Sequence, residues 1–281
     1  MRLTFAVDTI GAAAVILRSI LYQIAFYVNF ALWVIVFTPF VWLPRRWLLV
    51  PFLGWARSTR WVLRVVAGVR MEVRGNPGPY DGPLLVAAKH QSMFETVALL
   101  PLFADPAFIL KKELNAIPVW GWWQRRMRMI PVERKGGAKA LKEMARTAKA
   151  EALSGRQILI FPEGTRRAPG DGPDYKPGAA ILYQQMGVPC LPVALNSGLY
   201  WPRRSIRRYP GTIIVEILEP IEPGLPPRDF MTILQERIET ASDRLLVEAA
   251  EGENPPPLPE TAVKRLAELK ETAAADLQAA R

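Results

Sequence analysis

The fold is decided by residues 83–96, which read PLLVAAKHQSMFET. The apolar run at residues 83–88 predicts a short buried strand, and the pattern from Ser92 to about residue 103 predicts a helix. A polar turn that contains His90 lies between them. Because ligands gather at the carboxyl ends of strands in open α/β sheets, this turn is a candidate functional site.

Strand and helix patterns alternate through the rest of the chain. Short apolar or alternating runs predict strands at residues 69–73, 108–110, 129–132, 157–161, 190–195 and 212–218. Longer segments predict helices at residues 119–128, 139–153, 178–186 and 229–250. Strands that alternate with helices are typical of α/β proteins, so we predict an α/β sheet flanked by helices.

The N-terminal part of the chain is predicted to form a helical pair in the membrane. Residues 19–43 are almost wholly apolar, and as a helix they are long enough to cross a hydrocarbon core of ~30 Å. Residues 45–66 mix apolar residues with arginines, as amphipathic interfacial helices do. The pair either contains one true span or enters one leaflet, and the alternative is a buried helical hairpin of a soluble domain. We therefore divide the chain into membrane helices (1–68), an α/β domain (69–250) and a Pro-rich linker with a charged helical tail (251–281).

The composition limits the partners of this protein. A net charge of +10 calls for an anionic partner, either nucleic acid or a membrane surface. Tryptophans interleaved with arginines near the N-terminus favour a membrane interface, and no nucleic-acid recognition motif accompanies the charge. The single cysteine excludes an intrachain disulfide, and one cysteine with one histidine argues against a structural zinc site. We predict no metal and no nucleic-acid partner.

His90 is the only histidine, and imidazole is the side chain best matched to proton transfer near neutral pH. Glu95 follows five residues later, and a turn before the helix would let its carboxylate fold back onto the imidazole. Glu95 would then orient His90 and stabilise its protonated form. Two plainer readings stay open: His90 is a hydrogen-bonded structural residue, and Glu95 closes a capping box that begins at Ser92.

Four short motifs carry a resemblance to a known family. The string from His90 to Glu95 resembles motif I, His-x4-Asp, of the glycerolipid acyltransferase family of the 1-acylglycerol-3-phosphate (lysophosphatidic acid) acyltransferase type, with glutamate in place of the usual aspartate. The other motifs follow in the family's order at residues 130–134 (IPVER), 161–166 (FPEGTR) and 188–193 (VPCLPV). The resemblance covers residues 69–218 or so, and four ordered motifs make it specific.

The resemblance implies a fold and a reaction. The fold would be a central mixed sheet flanked by helices, joined to N-terminal membrane-embedded or membrane-spanning helices. The reaction would move a fatty acyl group from acyl-CoA or acyl-carrier protein to the sn-2 hydroxyl of 1-acylglycerol-3-phosphate, forming phosphatidic acid, with His90 as the base and Glu95 as its partner. It needs no cofactor beyond the acyl donor. The catalytic domain of a membrane protein would then face the cytoplasm.

The resemblance also implies where the lysophospholipid acceptor binds. Its phosphate needs cations and backbone donors, and the matching positions are Lys112, Arg134, Glu163, Gly164, Thr165 and Arg166. For Glu163 the alternative is that it braces Arg166 or the loop. The acceptor itself is left open, since another lysophospholipid or a lyso-aminolipid fits the same motifs. A different class of protein, a non-catalytic basic membrane-binding module, is the second alternative.

Two further features are an arginine cluster near residue 205 and the single cysteine, which lies within the fourth motif. Four arginines lie close together beside aromatic residues: Arg203, Arg204, Arg207 and Arg208. This pattern favours a contact with lipid headgroups over a contact with an acidic carrier protein. The plain alternative is that these arginines belong to a solvated loop. Cys190 is flanked by apolar residues, and we expect it to lie in the core. A nucleophilic role for it is disfavoured, because the chain has no second histidine to activate a thiol.

Overall fold

The chain, seen in a computed structural model, is described for residues 2–76, 78, 80–117, 119–133 and 136–279. Within these residues one sheet contains seven strands. They are β1 (Val69–Arg74), β2 (Leu84–Ala88), β3 (Pro106–Lys111), β4 (Ile130–Val132), β5 (Gln157–Ile160), β6 (Cys190–Leu195) and β7 (Gly211–Ile217).

The strand order is β1-β7-β6-β2-β5-β3-β4. All neighbouring strands are parallel except β6 and β7, which are antiparallel. The predicted mixed sheet is therefore confirmed. Because β2, β3, β4, β5 and β6 run in the same direction, the loops that follow them meet at one edge of the sheet, which we call the carboxyl edge.

Helices connect and cover the strands. They are α1 (Arg2–Phe37), α2 (Arg45–Val62), α3 (Phe94–Ala98), α4 (Trp120–Arg126), α5 (Gly137–Leu153), α6 (Gly178–Met186), α7 (Ser197–Tyr200), α8 (Pro227–Glu251) and α9 (Glu260–Ala279). The helix predicted from Ser92 to residue 103 is shorter than expected. It is α3 followed by a 3₁₀ turn at Leu100–Leu102, because Pro101 has no amide hydrogen for an α-helical bond.

Alternate residues of β2 belong to two different cores. Leu85 and Ala87 pack in a cluster with residues of α5, α6 and α8, whereas Val86 and Ala88 pack in a second cluster with residues of α2 and α3. Successive side chains of a strand point to opposite faces of a sheet, so β2 is buried on both sides. This double burial explains why its sequence is a continuous apolar run rather than an alternating one.

The predicted N-terminal helical pair is present as α1 and α2. Residues Gly11–Phe37 of α1 are long and apolar enough, by length and composition, to cross a membrane. The helix ends at a 3₁₀ turn, Thr38–Trp42, where Pro39 cannot donate a backbone hydrogen bond. After α2, a π-helical turn continues to Ala67, and Gly68 ends it with a φ of 72°.

Polar side chains join α1 to α2. Asn29 Nδ2 donates to Thr59 Oγ1 at 3.1 Å, and Trp33 Nε1 donates to Ser58 Oγ at 2.9 Å. The indole of Trp33 also lies over Gly54, where an added Cβ would be 2.3 Å from a ring carbon. The asparagine that interrupts the apolar run is thus paired within the hairpin.

One arginine of the predicted headgroup cluster is instead buried, which corrects that expectation for Arg208. Its residue exposure is 4%, and its guanidinium carbon lies 4.2 Å from the centroid of the Trp201 ring. The backbone N–H of Arg208 donates to Ser19 Oγ of α1 at 2.8 Å, and Tyr22 of α1 packs edge-on against Trp201. Arg208 therefore joins α1 to the sheet domain. The sequence pattern missed this because the partner side chains come from a distant helix.

The C-terminal helix contacts a loop at the carboxyl edge. Thr261 Oγ1 donates to the carbonyl of Pro169 at 2.7 Å. Gly170, at a φ of +75°, lies so close to Thr261 and Ala262 that a Cβ would be 2.6 Å from a backbone oxygen. Arg265 binds Asp243 of α8 at 2.6 Å. The predicted helical tail is thus α9, and it is docked rather than detached.

Candidate active site

His90 lies at the carboxyl edge, just after β2. The N–H of Lys89 still donates to Val193 of β6 at 2.9 Å, so the chain leaves the sheet at His90. Its imidazole stacks on the ring of Phe161, which follows the neighbouring strand β5, with centroids 3.9 Å apart and an interplanar angle of 13°. Phe161 stacks in turn on Phe108 of β3. Three adjacent parallel strands therefore fix the histidine ring.

The backbone of His90 is held by the loop of the FPEGTR motif. Its N–H donates to Glu163 Oε2 at 3.2 Å, and its carbonyl accepts from the N–H of Arg167 at 2.8 Å. The two motifs, about 70 residues apart in sequence, are thus bonded to each other on both sides of the histidine. The His90 side chain keeps 12% exposure, so one side of the ring remains accessible.

Glu95 makes the capping contacts and also faces the imidazole. Its Oε1 accepts from the N–H groups of Gln91 and Ser92 at 2.6 and 2.9 Å. The same oxygen lies 3.7 Å from His90 Nδ1. This distance is beyond the usual hydrogen-bond range but short enough for a strong charge interaction with an imidazolium in a buried site. One carboxylate therefore makes the contacts expected of the capping acid and also lies beside His90.

A buried ionic network lies behind His90 and was not predicted. Lys89 Nζ is 2.9 Å from Glu163 Oε1 and 2.7 Å from Glu239 Oε1 of α8. Tyr175 donates its hydroxyl to Glu239 at 2.9 Å. Lys89 is 3% exposed and Glu163 is fully buried. Burial raises the pKa of the Glu163 carboxyl, and the nearby Lys89 ammonium acts in the opposite direction. A lysine at the end of an apolar strand was the only sequence signal of this network.

The other predicted acceptor residues are spread along the carboxyl edge. Lys112 follows β3, is exposed, and lies 3.2 Å from Glu133 Oε2 just after β4. Gly164 adopts a φ of +64°, and Thr165 is exposed. Arg166 is half-buried, and no carboxylate among the described residues pairs with it. Arg134 lies outside the described residues.

Glu163 does not brace Arg166 through a side-chain contact. Its carboxylate binds Lys89 and the backbone of His90 instead. Arg203 donates to the carbonyl of Arg166, so the last residue of the motif is held by its backbone. The Arg166 guanidinium is left available at the edge where the histidine lies.

Cys190 belongs to the core, as expected. It is fully buried in β6, and burial raises the pKa of its thiol. A thiol that resists ionisation in an apolar setting is a poor nucleophile. The nucleophile in any reaction at this edge must therefore come from a substrate or from another residue.

Residues 70–196 match the model of the family described as Acyltransferase. The chain is similar to the 1-acyl-sn-glycerol-3-phosphate acyltransferase of Pseudomonas aeruginosa, with 39% identity over 164 residues, covering 58% of this chain and 64% of that protein. It is also similar to the mouse 1-acyl-sn-glycerol-3-phosphate acyltransferase alpha, with 30% identity over 167 residues, covering 58% and 59%. The chain thus spans somewhat less than two thirds of each relative's length.

Among solved structures, the chain resembles the 1-acyl-sn-glycerophosphate (LPA) acyltransferase PlsC from Thermotoga maritima. The TM-score is 0.69 with 24% sequence identity, over 82% of this chain and 96% of that chain. At this identity the likeness concerns the fold, and it agrees with the mixed α/β sheet. The match of residues 70–196 to the Acyltransferase family model agrees with the family resemblance that the four motifs carry.

Proposed function

We propose that this protein transfers a fatty acyl group from a thioester, either acyl-CoA or acyl-carrier protein, to the sn-2 hydroxyl of 1-acylglycerol-3-phosphate. The observation that carries the proposal is the single histidine at the carboxyl edge, with Nδ1 3.7 Å from the buried Glu95 carboxylate. The activities named for the two similar proteins support the same acceptor. The product would be phosphatidic acid.

The reaction requires no covalent enzyme intermediate. Since Nδ1 faces Glu95, Nε2 is the nitrogen left to meet the substrate. Nε2 takes the proton of the acceptor hydroxyl as its oxygen attacks the thioester carbonyl, forming a tetrahedral intermediate. When the carbon–sulfur bond breaks, the leaving thiolate takes the proton back from the imidazolium. An ester and a free thiol are formed, and His90 returns to its neutral state.

Glu95 would stabilise the imidazolium that exists between these two proton transfers. The oxygen that lies beside Nδ1, Oε1, is held in place by two backbone N–H groups. A carboxylate held in this way needs little reorganisation when the imidazole becomes charged. We assign Glu95 this role in addition to its capping contacts.

The acceptor phosphate would bind cations at the same edge. We assign it to Arg166 and Arg134, with Lys112 at the exposed rim and with Gly164 and Thr165 offering a backbone N–H and a hydroxyl. Glu163 receives a different role, because its carboxylate is buried and already bound to Lys89. It positions the turn that carries His90 rather than contacting the acceptor.

Membrane association follows from the nature of the acceptor and product and from the surface of α1. Large apolar side chains of α1 are exposed, among them Leu17, Ile20, Leu21, Ile24, Val28, Leu32 and Ile35. Exposed apolar surface of this extent is expected where lipid covers it. We propose that α1 enters the bilayer, that α2 follows its surface, and that the catalytic domain faces the cytoplasm.

An acceptor panel tests the proposal. Purified full-length chain would receive one labelled acyl thioester together with 1-acylglycerol-3-phosphate, other lysophospholipids or a lyso-aminolipid, first with the CoA thioester and then with the carrier-protein thioester. We expect the largest kcat/KM for 1-acylglycerol-3-phosphate. Preference for another acceptor would reassign the substrate. No thioester consumption with any acceptor would instead favour a non-catalytic membrane-binding module.

A further inference from the structure

Three arginines converge on a cleft where α1 passes the starts of β1 and β7. The cleft has a volume of about 730 Å³, and its lining includes Arg70, Arg207, Gly68 and Tyr209. Arg18 of α1 reaches the same place, since its Nη1 is 3.6 Å from the position that a Cβ on Gly68 would occupy. We call this the arginine cleft. Its volume is in the range of small-molecule sites, about 300–1,000 Å³.

The arginine cleft lacks the carboxylates that accompany other arginines of this protein. Arg18, Arg70 and Arg207 are exposed, and among the described residues no acidic side chain lines the cleft or pairs with any of the three. Arg74, on the same strand as Arg70, binds Glu248 at 2.6 Å. Three like charges repel one another, so a bound anion would remove an unfavourable interaction as well as gain hydrogen bonds.

One wall of the arginine cleft is apolar and belongs to α1. Ala12 and Val15 contribute to it, and both lie in the segment Gly11–Phe37 that is apolar enough to cross a membrane. Leu17 and Leu21, two and six residues after Val15 on α1, are 59% and 49% exposed. Cationic groups beside an exposed apolar helix match a ligand that has an anionic head and hydrocarbon chains.

The arginine cleft lies along the carboxyl edge from the candidate active site, and Arg207 and Tyr209 also line a neighbouring cleft that includes Gln91. β1 lies next to β7, and β7 and β6 stand between β1 and β2, the strand that leads to His90. Three strand spacings correspond to about 14 Å. A ligand bound at Arg70 therefore does not compete directly for the imidazole of His90.

We propose that the arginine cleft binds the phosphate-bearing headgroup of an anionic membrane phospholipid, whose acyl chains lie along the exposed apolar side of α1. This site goes beyond the proposed acyl transfer and takes no part in its chemistry. It holds the start of α1 against the sheet domain at a membrane that carries negative charge. An acidic carrier protein is the rival partner, but the apolar wall and the concave shape favour a lipid.

The test uses the full-length chain in a neutral detergent and does not depend on turnover. The protein is titrated with dioctanoyl phosphatidylglycerol, dioctanoyl phosphatidylcholine or inorganic phosphate, and the unfolding midpoint is recorded at each concentration. A thiol-reactive dye reports unfolding, since Cys190 is the only cysteine and is buried. A ligand that binds only the folded chain raises this midpoint with its concentration.

The variant R70Q/R207Q removes two charges from the arginine cleft. Its matched control is R146Q/R228Q, which removes two exposed arginines elsewhere that have no ion pair among the described residues. We expect phosphatidylglycerol to bind the wild-type and control proteins alike and to bind R70Q/R207Q at least about tenfold more weakly, as the loss of charge-assisted hydrogen bonds predicts. The single variant R207Q should fall between them, and added salt should weaken binding.

Several results would overturn the proposal. One is equal phosphatidylglycerol affinity for R70Q/R207Q and its control, and another is an absence of any response in the wild-type protein. A response to phosphatidylcholine as strong as that to phosphatidylglycerol would remove the requirement for an anionic lipid. A response to inorganic phosphate as strong as the lipid response would assign the site to a soluble phosphate group. Saturable binding to an acidic carrier protein through the same arginines, without lipid binding, would assign it to that partner.

Discussion

At the scale of single residues, the Glu95 carboxylate is placed for both of the roles that the sequence suggested, helix capping and support of His90. One oxygen holds the turn through Gln91 and Ser92, and the same carboxylate faces His90. Glutamate in place of the family's usual aspartate suits this arrangement, because its extra methylene lets the side chain reach back to the N–H groups before α3. The helix cap and the candidate catalytic pair are therefore one structure.

The Glu95→Gln variant separates charge from capping. The amide oxygen of glutamine can still accept from Gln91 and Ser92, whereas the negative charge beside Nδ1 is lost. We expect kcat to fall about 10–100-fold while the unfolding midpoint changes little, a smaller effect than loss of the base itself. Steady-state kinetics with the preferred acceptor and thermal unfolding measure both. Full activity in this variant would limit Glu95 to the capping role.

Glu239 is a second residue-scale prediction, because it reaches the site from α8 only through Lys89. In the Glu239→Gln variant, Lys89 keeps its ion pair with Glu163 but loses the charge of Glu239, and the turn that carries His90 loses support. We expect a roughly tenfold lower kcat with an unchanged acceptor KM. The Glu239→Asp variant should recover part of the activity. Glu236 is an exposed neighbour on α8, so Glu236→Gln should keep wild-type kinetics. A change in KM alone would contradict this positioning role.

These residues differ in how well sequence predicts them. His90 and Glu95 are five positions apart, and residues 161–166 match a family motif, so each is visible as a local pattern. Lys89 and Glu239 are 150 positions apart, and their pairing depends on how α8 crosses the sheet. A single chain without an alignment carries no local signal for a pair of that kind.

At the scale of elements, α9 and the loop after the FPEGTR motif act as one unit. Thr261 donates to Pro169, and Gly170 leaves no room for a side chain against Ala262. Pro169 and Gly170 lie only three and four residues after Arg166, in the loop between β5 and α6. The helical tail thus constrains the loop to which we assign acceptor binding.

The Thr261→Val variant tests this coupling. Valine keeps the shape of threonine but cannot donate to the Pro169 carbonyl, so the docked state of α9 should lose about 1 kcal/mol. We expect faster proteolytic cleavage in residues 251–260 and an acceptor KM raised by about three- to tenfold. Thr261→Ser, which keeps the hydroxyl, should behave as wild type. Unchanged cleavage and KM in Thr261→Val would show that α9 docks without this bond.

The predicted boundaries of helices and strands are correct where the sequence contains a residue that ends the element. The predicted helix at 178–186 and the predicted strand at 190–195 coincide with α6 and β6, because Gly187 ends the helix in the left-handed conformation. The prediction of a helix to residue 103 was wrong beyond Ala98. It followed the apolar spacing, whereas Pro101 prevents the α-helical hydrogen bonds from continuing. Periodicity locates a buried face, whereas a proline decides whether the backbone remains α-helical.

At the scale of the whole molecule, one ionic group ties α2 to the sheet domain. Asp105, just before β3, binds Arg45 at the start of α2 and Arg156 just before β5. Burial acts to raise the pKa of Asp105, but its hydrogen bonds and charge interactions with the two arginines outweigh that effect and lower it. The depressed pKa contributes stability above the value of an unfolded aspartate, and this contribution is lost as the pH falls through the folded pKa.

The Asp105→Asn variant should therefore be less stable at neutral pH. We expect a loss of about 1–3 kcal/mol at pH 7, which narrows as the pH falls from about 4, where an unfolded aspartate titrates, through the lowered pKa of folded Asp105. Unfolding midpoints of the full-length chain across this pH range measure the effect, with the exposed Asp81→Asn as control. A stability difference that is constant with pH would contradict the ionic role of Asp105.

The overall architecture could be predicted from the alternation of strands with helices and from the four motifs. The packing of α1 against the sheet domain could not. The mixed sheet and the helical pair are present as expected. Arg208 was expected at a headgroup because it lies among aromatic residues, yet those aromatic rings are covered by α1 and enclose it. Local sequence indicates that arginine and tryptophan lie together. Whether lipid or a helix covers them depends on long-range packing.

If His90 is the base of an acyl transfer, the loss of its imidazole must slow product formation without unfolding the chain. Purified wild-type and His90→Ala chains would each be mixed with a labelled acyl thioester and 1-acylglycerol-3-phosphate, and phosphatidic acid formation would be followed in time. We expect product from the wild-type chain and a rate lower by about 10²–10⁴-fold in His90→Ala, with unchanged unfolding midpoint and membrane partitioning. Wild-type rates in His90→Ala, or no phosphatidic acid from the wild-type chain, would contradict this role of His90.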